Sequence, residues 1–387
     1  MSGEYRFSMR LGVIGAPAHW VGPDGAYRAY EPYVREMRIW ADLFSRVIVC
    51  GHGGEGPMTG NLASYDRENI EVRPVRYTRE YGFSGMSRRL TQLPGLVRSA
   101  YHTLMDSDFV LLRSPSHFGL VGAVLVRMKK KPSLTKWAGE NATYKGERIP
   151  SRINRFLEAL PSTTHHTLVY GRPLYDHQIS FLPALMSNGE LSLAREIAQE
   201  RQWQPPWKIL CVGRLERAKN FDLAIRGLGE LRRRHPELSW LFTLVGEGTQ
   251  KRSLQVLAAE CGVADRVTLP GALPFREVQE HYGRSHIVIM PGVKEGWPKI
   301  IAEAWAHGAF PIASRAGNVP WILNDPSSGT VSEPTPEGLA DALAQALADT
   351  DRLNRLSHSL PRCAEALSLD QFKVRLERVL VERCGLR

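Results

Sequence analysis

The stretch HIVIMPGVKEGWPKIIAEAWAHG, residues 286–308, decides how the chain is read. Five residues, His286 to Met290, have the apolar run of a buried strand, and a tight loop follows at residues 291–297. From Lys299 to His307 the spacing predicts a short helix, with Pro298 at its first position, where a missing N–H costs nothing. Gly308 stands where helices commonly stop. The unpaired N–H groups around Pro298 and the positive end of the helix dipole make an anion site. Lys299 in that first turn opposes the dipole unless an anion lies in front of it. With Glu295 in the loop and Glu303 on the helix, the turn suits a phosphorylated, polyhydroxylated ligand. An ordinary strand–turn–helix with solvated charges explains the same residues.

The pattern repeats on both sides of this turn. Strands are expected at residues 208–215, 240–246, 266–270, 286–290 and 310–314, alternating with helices of 10–15 residues. That alternation predicts a parallel sheet with crossover helices. Upstream, residues 10–15 and 46–50 read as the first strands of another such sheet, with strands also at 108–113, 131–135 and 163–170. Residues 16–25 are expected to form a Gly/Pro-rich ligand loop ahead of a helix ending near Phe44. GAPAHWVGPDG, residues 15–25, is not the GxGxxG of a dinucleotide site. The expected fold class is α/β, with two Rossmann-like domains facing a cleft. The boundaries read as 1–190 for the first domain, 191–207 for a linker ending in WQPPW, and 208–368 for the second domain. A last helix occupies 369–387.

Composition narrows the function classes. Hydrophobic residues make up 43% of the 387 and charged residues 23%, as in soluble globular proteins. No run approaches the ~18 apolar residues of a spanning helix. The start, MSGEYRFSMRLGVIG, has charges where a signal peptide needs its apolar core, so a cytoplasmic location is expected. The five cysteines are odd in number and scattered, which fits reduced thiols and argues against a disulfide frame or a zinc site. A formal net charge of +10 points to anionic partners. The basic runs 129–131 and 232–234 lack interleaved aromatics, so nucleic acid is not expected. Residues 84–105 mix basic and apolar side chains and read as a membrane-surface or a domain-surface helix.

GRLERAKN (213–220) closes the first strand of the second domain and places Arg214 and Lys219 where ligands bind in parallel sheets. Two cations five residues apart across a tight loop can grip a diphosphate from two sides. A solvated loop pair is the plainer reading of the same charges. LVGEG (244–248) is a strand ending in GxG, and exposed backbone at Gly271 could pair with a nucleobase edge. In order with VTLPGALPFREVQEHY, the Glu-x7-Glu of Glu295 and Glu303, PIAS and GNVP, these motifs resemble the GT-B glycosyltransferases of family 4. The resemblance covers residues 208–324.

The resemblance implies a retaining hexosyltransferase with a UDP- or GDP-sugar donor, no cofactor and no essential metal. It assigns Arg214 and Lys219 to the donor diphosphate, Glu303 to the ribose hydroxyls and Glu295 to the transferred sugar. The backbone of Gly296, Trp297, Pro298 and Lys299 lines phosphate and sugar. Trp297-Pro298 replaces the usual small or aromatic residue and glycine. Gly25 falls where the family places a phosphate-proximal glycine. PSLTKWAG (132–139) aligns with a strand that often ends in His-Gly, and Ala138-Gly139 stand there instead. Lys136, Glu140 and His117 are the acceptor-side substitutes nearby. In this fold the final helix crosses back to the N-terminal domain. The acceptor is open between a glycan, a glycolipid and a small molecule. The basic charge leans towards a membrane-bound one, at the inner face of the membrane. A sugar-nucleotide epimerase or hydrolase on the same fold, and a non-catalytic nucleotide-sugar-binding protein, are the competing functions.

Overall fold

The computed structural model describes residues 5–55, 58, 62–78, 83–139, 149–293 and 296–387. They form two compact units, residues 1–181 with 373–387 and residues 182–372. The first unit runs β1 (Phe7–Val21), β2 (Tyr27–Tyr30), α1 (Glu31–Leu43), β3 (Phe44–Gly53), β4 (Leu62–Ser64) and β5 (Ile70–Val75). It continues with α2 (Phe83–Met105), β6 (Phe109–Ser114), α3 (His117–Met128), β7 (Ser133–Trp137), α4 (Ile149–Ala159), β8 (His165–Val169) and β9 (Gln178–Ser180). Its parallel strands lie in the order β5-β3-β1-β6-β7-β8-β9, with β1 paired to both β3 and β6. Val47, Val49, Val110 and Leu112 are among the side chains that fill both faces of this sheet.

The expected ligand loop at residues 16–25 is corrected. β1 continues to Val21 and turns back through Gly25 into antiparallel β2. Its upper half pairs with Gly51 and Gly53 of β3, where absent side chains allow close approach. Gly25, at φ +76, is the left-handed residue of that hairpin turn.

The second unit opens with α5 (Asn188–Gln199), β10 (Trp207–Val212), α6 (Phe221–Arg234), β11 (Trp240–Val245), α7 (Lys251–Glu260) and β12 (Val267–Gly271). Then come α8 (Phe275–Arg284), β13 (Ile287–Met290), α9 (Lys299–Ala306), β14 (Phe310–Ser314), α10 (Val319–Ile322) and β15 (Thr330–Ser332). Helices α11 (Pro336–Leu347), α12 (Thr350–Ser357), α13 (Pro361–Glu365) and α14 (Leu369–Glu382) close the chain. The sheet is parallel in the order β12-β11-β10-β13-β14-β15, as the alternation of residues 208–314 predicts. α14 starts in this unit, and from Lys373 onward it packs in the first, with Leu376 and Leu380 fully buried.

Residues 191–207 are not a linker. Ser187 and Glu190 form a capping box that starts α5, and Leu191 and Ala194 are buried in the second unit's core. The expectation failed because the helix presents a narrow apolar face, which reads as polar loop. Arg201, just after α5, is 7% exposed and donates to the carbonyls of Gly283, Gly308 and His307 at 2.6 to 3.0 Å.

Candidate donor site at the switch point of the second sheet

In this sheet the chain moves outward from β10 to β11 and β12, then returns to β13 on the other side of β10. Parallel sheets bind ligands at such a reversal, outside the carboxyl ends of the strands. The loop after β10 carries GRLERAKN, and the loop after β13 carries the stretch 291–298. Asn220 joins them: its Nδ2 donates to the Pro291 carbonyl at 3.1 Å. Asn220 takes a left-handed backbone, φ +56, between a short 3₁₀ turn (Arg217–Lys219) and α6. Asparagine is one of the few residues other than glycine to do so readily.

The LVGEG loop braces the other side. Gly213 N–H bonds Val245 O at 3.0 Å and Leu215 N–H bonds Glu247 O at 2.8 Å. A Cβ at Gly246 would stand 1.8 Å from the Gly213 oxygen, and one at Gly248 would stand 2.4 Å from the Leu215 oxygen. These two glycines are therefore structural: they let one loop's backbone lie on the other's. Gly271 ends β12, its carbonyl accepting from Gly246 N–H at 2.9 Å, beside the ion pair Glu247–Lys251 at 2.6 Å.

α9 begins at Lys299, so Pro298 is the N-cap residue and not the first helical one. It ends in a Schellman motif: Gly308 N–H bonds Trp305 O at 2.9 Å and Ala309 N–H bonds Ala304 O at 2.8 Å. Gly308 takes φ +62 there. Glu303, partly buried on α9, accepts a 2.6 Å hydrogen bond from the Tyr282 hydroxyl of α8 on Oε2. Burial raises the Glu303 carboxyl above its ordinary range, opposed by the Tyr282 bond and the charge of Lys299. The Tyr282 hydroxyl is itself driven well up, first by burial and then by the Glu303 charge. One turn on, His307 stacks on Tyr282 with ring centroids 5.3 Å apart and bonds Glu303 O through Nδ1 at 2.8 Å. Its Nε2 is buried with no partner among the described residues, and burial brings its pKa down to about 4. The neutral Nδ1–H tautomer satisfies this arrangement.

Arg201 holds the two helices together from behind. Its carbonyl partners end α8 and α9, the helices that carry Tyr282 and Glu303. Burial lowers its pKa to about 10, and the positive charge is offset by the negative ends of both helix dipoles. Asn318 completes the frame by donating to Gly296 O at 3.0 Å. The Trp297 indole N–H is buried with no acceptor among the described residues. Arg214 is 77% exposed and pairs with Glu216 at 2.9 Å. Lys219 lies in the 3₁₀ turn of the same loop.

The expected residues Arg214, Lys219, Gly296, Trp297, Pro298, Lys299 and Glu303 thus share one end of one sheet. Glu295 and Glu140 lie outside the described residues. Sequence reading missed Tyr282 and Arg201, and the bonds by which Asn220 and Asn318 brace the loops. Tyr282 stood inside a quoted motif, VQEHY, but nothing along the chain shows which side chain it meets.

The other expected residues lie in the first unit. Lys136 is not an open cation: its ammonium is buried against Glu36, which also accepts from Arg113 at 3.1 Å. His117 starts α3 and lines a cavity of about 800 Å³ with His52, Tyr77, Arg89, Ser116 and Asn154, at the carboxyl ends of β3, β5 and β6. Asp106 and Asp108, a metal-like DxD in sequence, are taken up by Arg73 at 2.6 Å and Arg10 at 2.8 Å.

Two parallel-sheet units of this kind define the GT-B fold. The structure of Anabaena Alr3699/HepE in complex with UDP superposes with a TM-score of 0.68 at 13% identity, over 96% of this chain and 99% of that one. Sucrose-phosphate synthase from Thermosynechococcus elongatus gives 0.68 at 16% identity, over 96% and 98%. Residues 194–360 match the family model described as "Glycosyl transferases group 1". The two units thus have the GT-B fold, and residues 194–360 are similar to the glycosyl transferases of group 1.

Among curated relatives, the GDP-mannose-dependent alpha-(1-6)-phosphatidylinositol monomannoside mannosyltransferase of Mycolicibacterium smegmatis is 33% identical over 152 residues, 37% of this chain and 39% of the relative. The D-inositol 3-phosphate glycosyltransferase of Nocardia farcinica is 34% identical over 152 residues, 38% of this chain and 34% of the relative. The chain thus spans about two fifths of the length of the relatives it matches.

Proposed function

We propose that this chain is a retaining glycosyltransferase that moves a hexose from a UDP- or GDP-sugar to a hydroxyl of a glycan, glycolipid or small-molecule acceptor. The observation that carries the reading is the bonded pair Tyr282–Glu303 at the switch point, beside the joined loops that hold Arg214, Lys219 and the N-terminus of α9. A carboxylate takes two hydrogen bonds from a vicinal diol. Tyr282 fixes Oε2, and Oε1 is left to receive a ribose hydroxyl.

The diphosphate lies across the α9 N-terminus and Lys299, gripped from the other side by Arg214 and Lys219. Arg214 must exchange Glu216 for phosphate, and an exposed pair of this kind holds it by at most ~1 kcal/mol. The Trp297 N–H gives the ligand one more buried donor. Glu295 contacts the transferred sugar. In the reaction the C1–O bond to the distal phosphate breaks while the acceptor oxygen joins C1 on the same face. The leaving phosphate takes the acceptor proton. Fixed N–H dipoles and the cations stabilise the charge that develops on it. No metal is required in this scheme, so a chelator leaves the rate unchanged.

Two of the similar proteins support the donor class: one relative is GDP-mannose-dependent, and one structural neighbour was solved with UDP. The test is calorimetric titration with UDP, GDP and their sugars, followed by transfer assays. Binding of a nucleotide sugar and transfer that Glu303→Ala abolishes support the reading. No binding to any of them, or full activity in Glu303→Ala, overturns it. Free sugar released in the absence of an acceptor, with no transfer when one is supplied, points to a hydrolase on the same fold.

A further inference from the structure

Helix α4 is turned the wrong way for a core helix. Apolar residues recur at Ile149, Ile153 and Phe156, and at Leu160 just beyond its end, one stripe at helical spacing. Such a stripe normally faces the core. Here Ile149 is 71% exposed and Phe156 is 65% exposed, while the opposite face is buried and polar.

Two anchors hold α4 in that orientation. Asn154, 1% exposed, donates to Ser116 O at 3.1 Å. Glu158, 2% exposed, accepts from Thr167 at 2.7 Å and Thr135 at 3.1 Å and pairs with His165 at 2.9 Å. Rolling the helix to bury its apolar stripe would break the bonds of this carboxylate to Thr135, Thr167 and His165 and that of Asn154 to Ser116.

The neighbouring helices extend the surface. α3 packs between α2 and α4. It leaves Val124 and Met128 exposed, and α2 leaves Leu90, Leu93 and Val97 exposed. Glu158 is the sole acidic residue within α2, α3 and α4, and it is buried. Against it stand six arginines in these helices, of which Arg88, Arg98 and Arg152 are exposed, with Lys129, Lys130 and Lys131 directly after α3.

We infer that this three-helix face, led by the apolar stripe of α4, docks on a bilayer surface that contains anionic lipid. Exposed apolar side chains beside arginines, with no exposed acidic side chain on the three helices themselves, fit a headgroup layer. A second copy would bring the same positive charge against itself across a two-fold axis. Among the described residues no helix is long and apolar enough to cross a membrane, so the attachment is peripheral. The inference does not rest on the donor site, which lies in the other unit.

The experiment is vesicle co-sedimentation of the intact chain, with phosphatidylcholine alone and with phosphatidylcholine mixed with phosphatidylglycerol. The chain is expected to sediment with the mixed vesicles, less so as salt is raised, and to stay in solution with the neutral ones. The double variant Ile153→Asp, Phe156→Asp is expected to lose roughly tenfold or more in vesicle affinity, as is Arg98→Glu, Arg152→Glu. All these positions are exposed, and unchanged melting and nucleoside diphosphate binding confirm intact variants. Absence of sedimentation by the wild type, or sedimentation that neither variant weakens, overturns the inference. So does a vesicle-free dimer that Phe156→Asp dissolves, which would assign the face to a second copy. Nucleoside diphosphate titration on the same samples reads the donor site separately, so one reading can fail without the other.

Discussion

The pair Tyr282–Glu303 concentrates the chemistry into one 2.6 Å hydrogen bond. Removing the hydroxyl in Tyr282→Phe deletes a bond to a charged group, worth about 1.5 kcal/mol or more. Nucleoside diphosphate affinity should fall about tenfold by calorimetry, with the fold intact by circular dichroism. Burial raises the Glu303 carboxyl. Its diol-binding form is the carboxylate, so donor affinity should weaken as pH falls through that raised value. The loss should begin at a higher pH than a solvent-exposed glutamate would give. In Glu303→Gln the titration should disappear, leaving weak, pH-independent binding over the same range.

At the scale of elements, Arg201 links two helix ends that sequence places far apart. Its carbonyl partners sit on or just beyond α8 and α9. Arg201→Ala would leave these acceptors buried and unpaired, at a cost of about 3 kcal/mol or more. Urea denaturation should show that loss, and donor affinity should fall with it because Tyr282 and Glu303 lose their common brace. Gly308→Ala probes the end of α9 alone. Its Cβ would meet the Ser357 carbonyl oxygen at 2.3 Å in a left-handed backbone, so a loss of about 1–3 kcal/mol is expected in the same denaturation series.

The whole molecule has an acid limit written into buried histidines. Burial lowers His19, His286 and His307 from an ordinary 6.5 to about 4. Between these values the unfolded chain binds protons that the folded chain refuses, so stability falls as pH drops from about 6.5 to about 4. Each histidine contributes ~1.4 kcal/mol per pH unit in that window. Thermal melting across it should show a steep decline, less steep in His307→Gln. Unit organisation gives a second expectation. Residues 373–387 belong to the first unit, where Leu376 and Leu380 are fully buried and Arg383 donates to Asp176 O at 2.9 Å. A chain ending at residue 372 should lose at least ~3 kcal/mol from that unit, visible in hydrogen exchange at β8 and β9.

Much of the second unit was legible in the sequence. Buried parallel strands are apolar runs, their crossovers are short helices, and Gly246 and Gly308 mark where the strand and the helix end. These are local properties, so the strands, the order of the loops and most of the candidate donor residues follow from spacing. Local spacing does not say what a side chain will meet. Tyr282 and Glu303 are brought together by two helices, and Lys136 is taken from solvent by Glu36 on α1. Residues 16–25 pair as a hairpin where a loop was expected, because pairing depends on a partner strand elsewhere in the chain.

The stripe on α4 is the clearest division between the two levels. Sequence alone determines that Ile149, Ile153, Phe156 and Leu160 share one face, since that follows from 3.6 residues per turn. Which way that face points was decided by the tertiary structure. Buried hydrogen bonds to Asn154 and Glu158, made with residues from other elements, are lost if the helix turns, and they leave its apolar side on the surface.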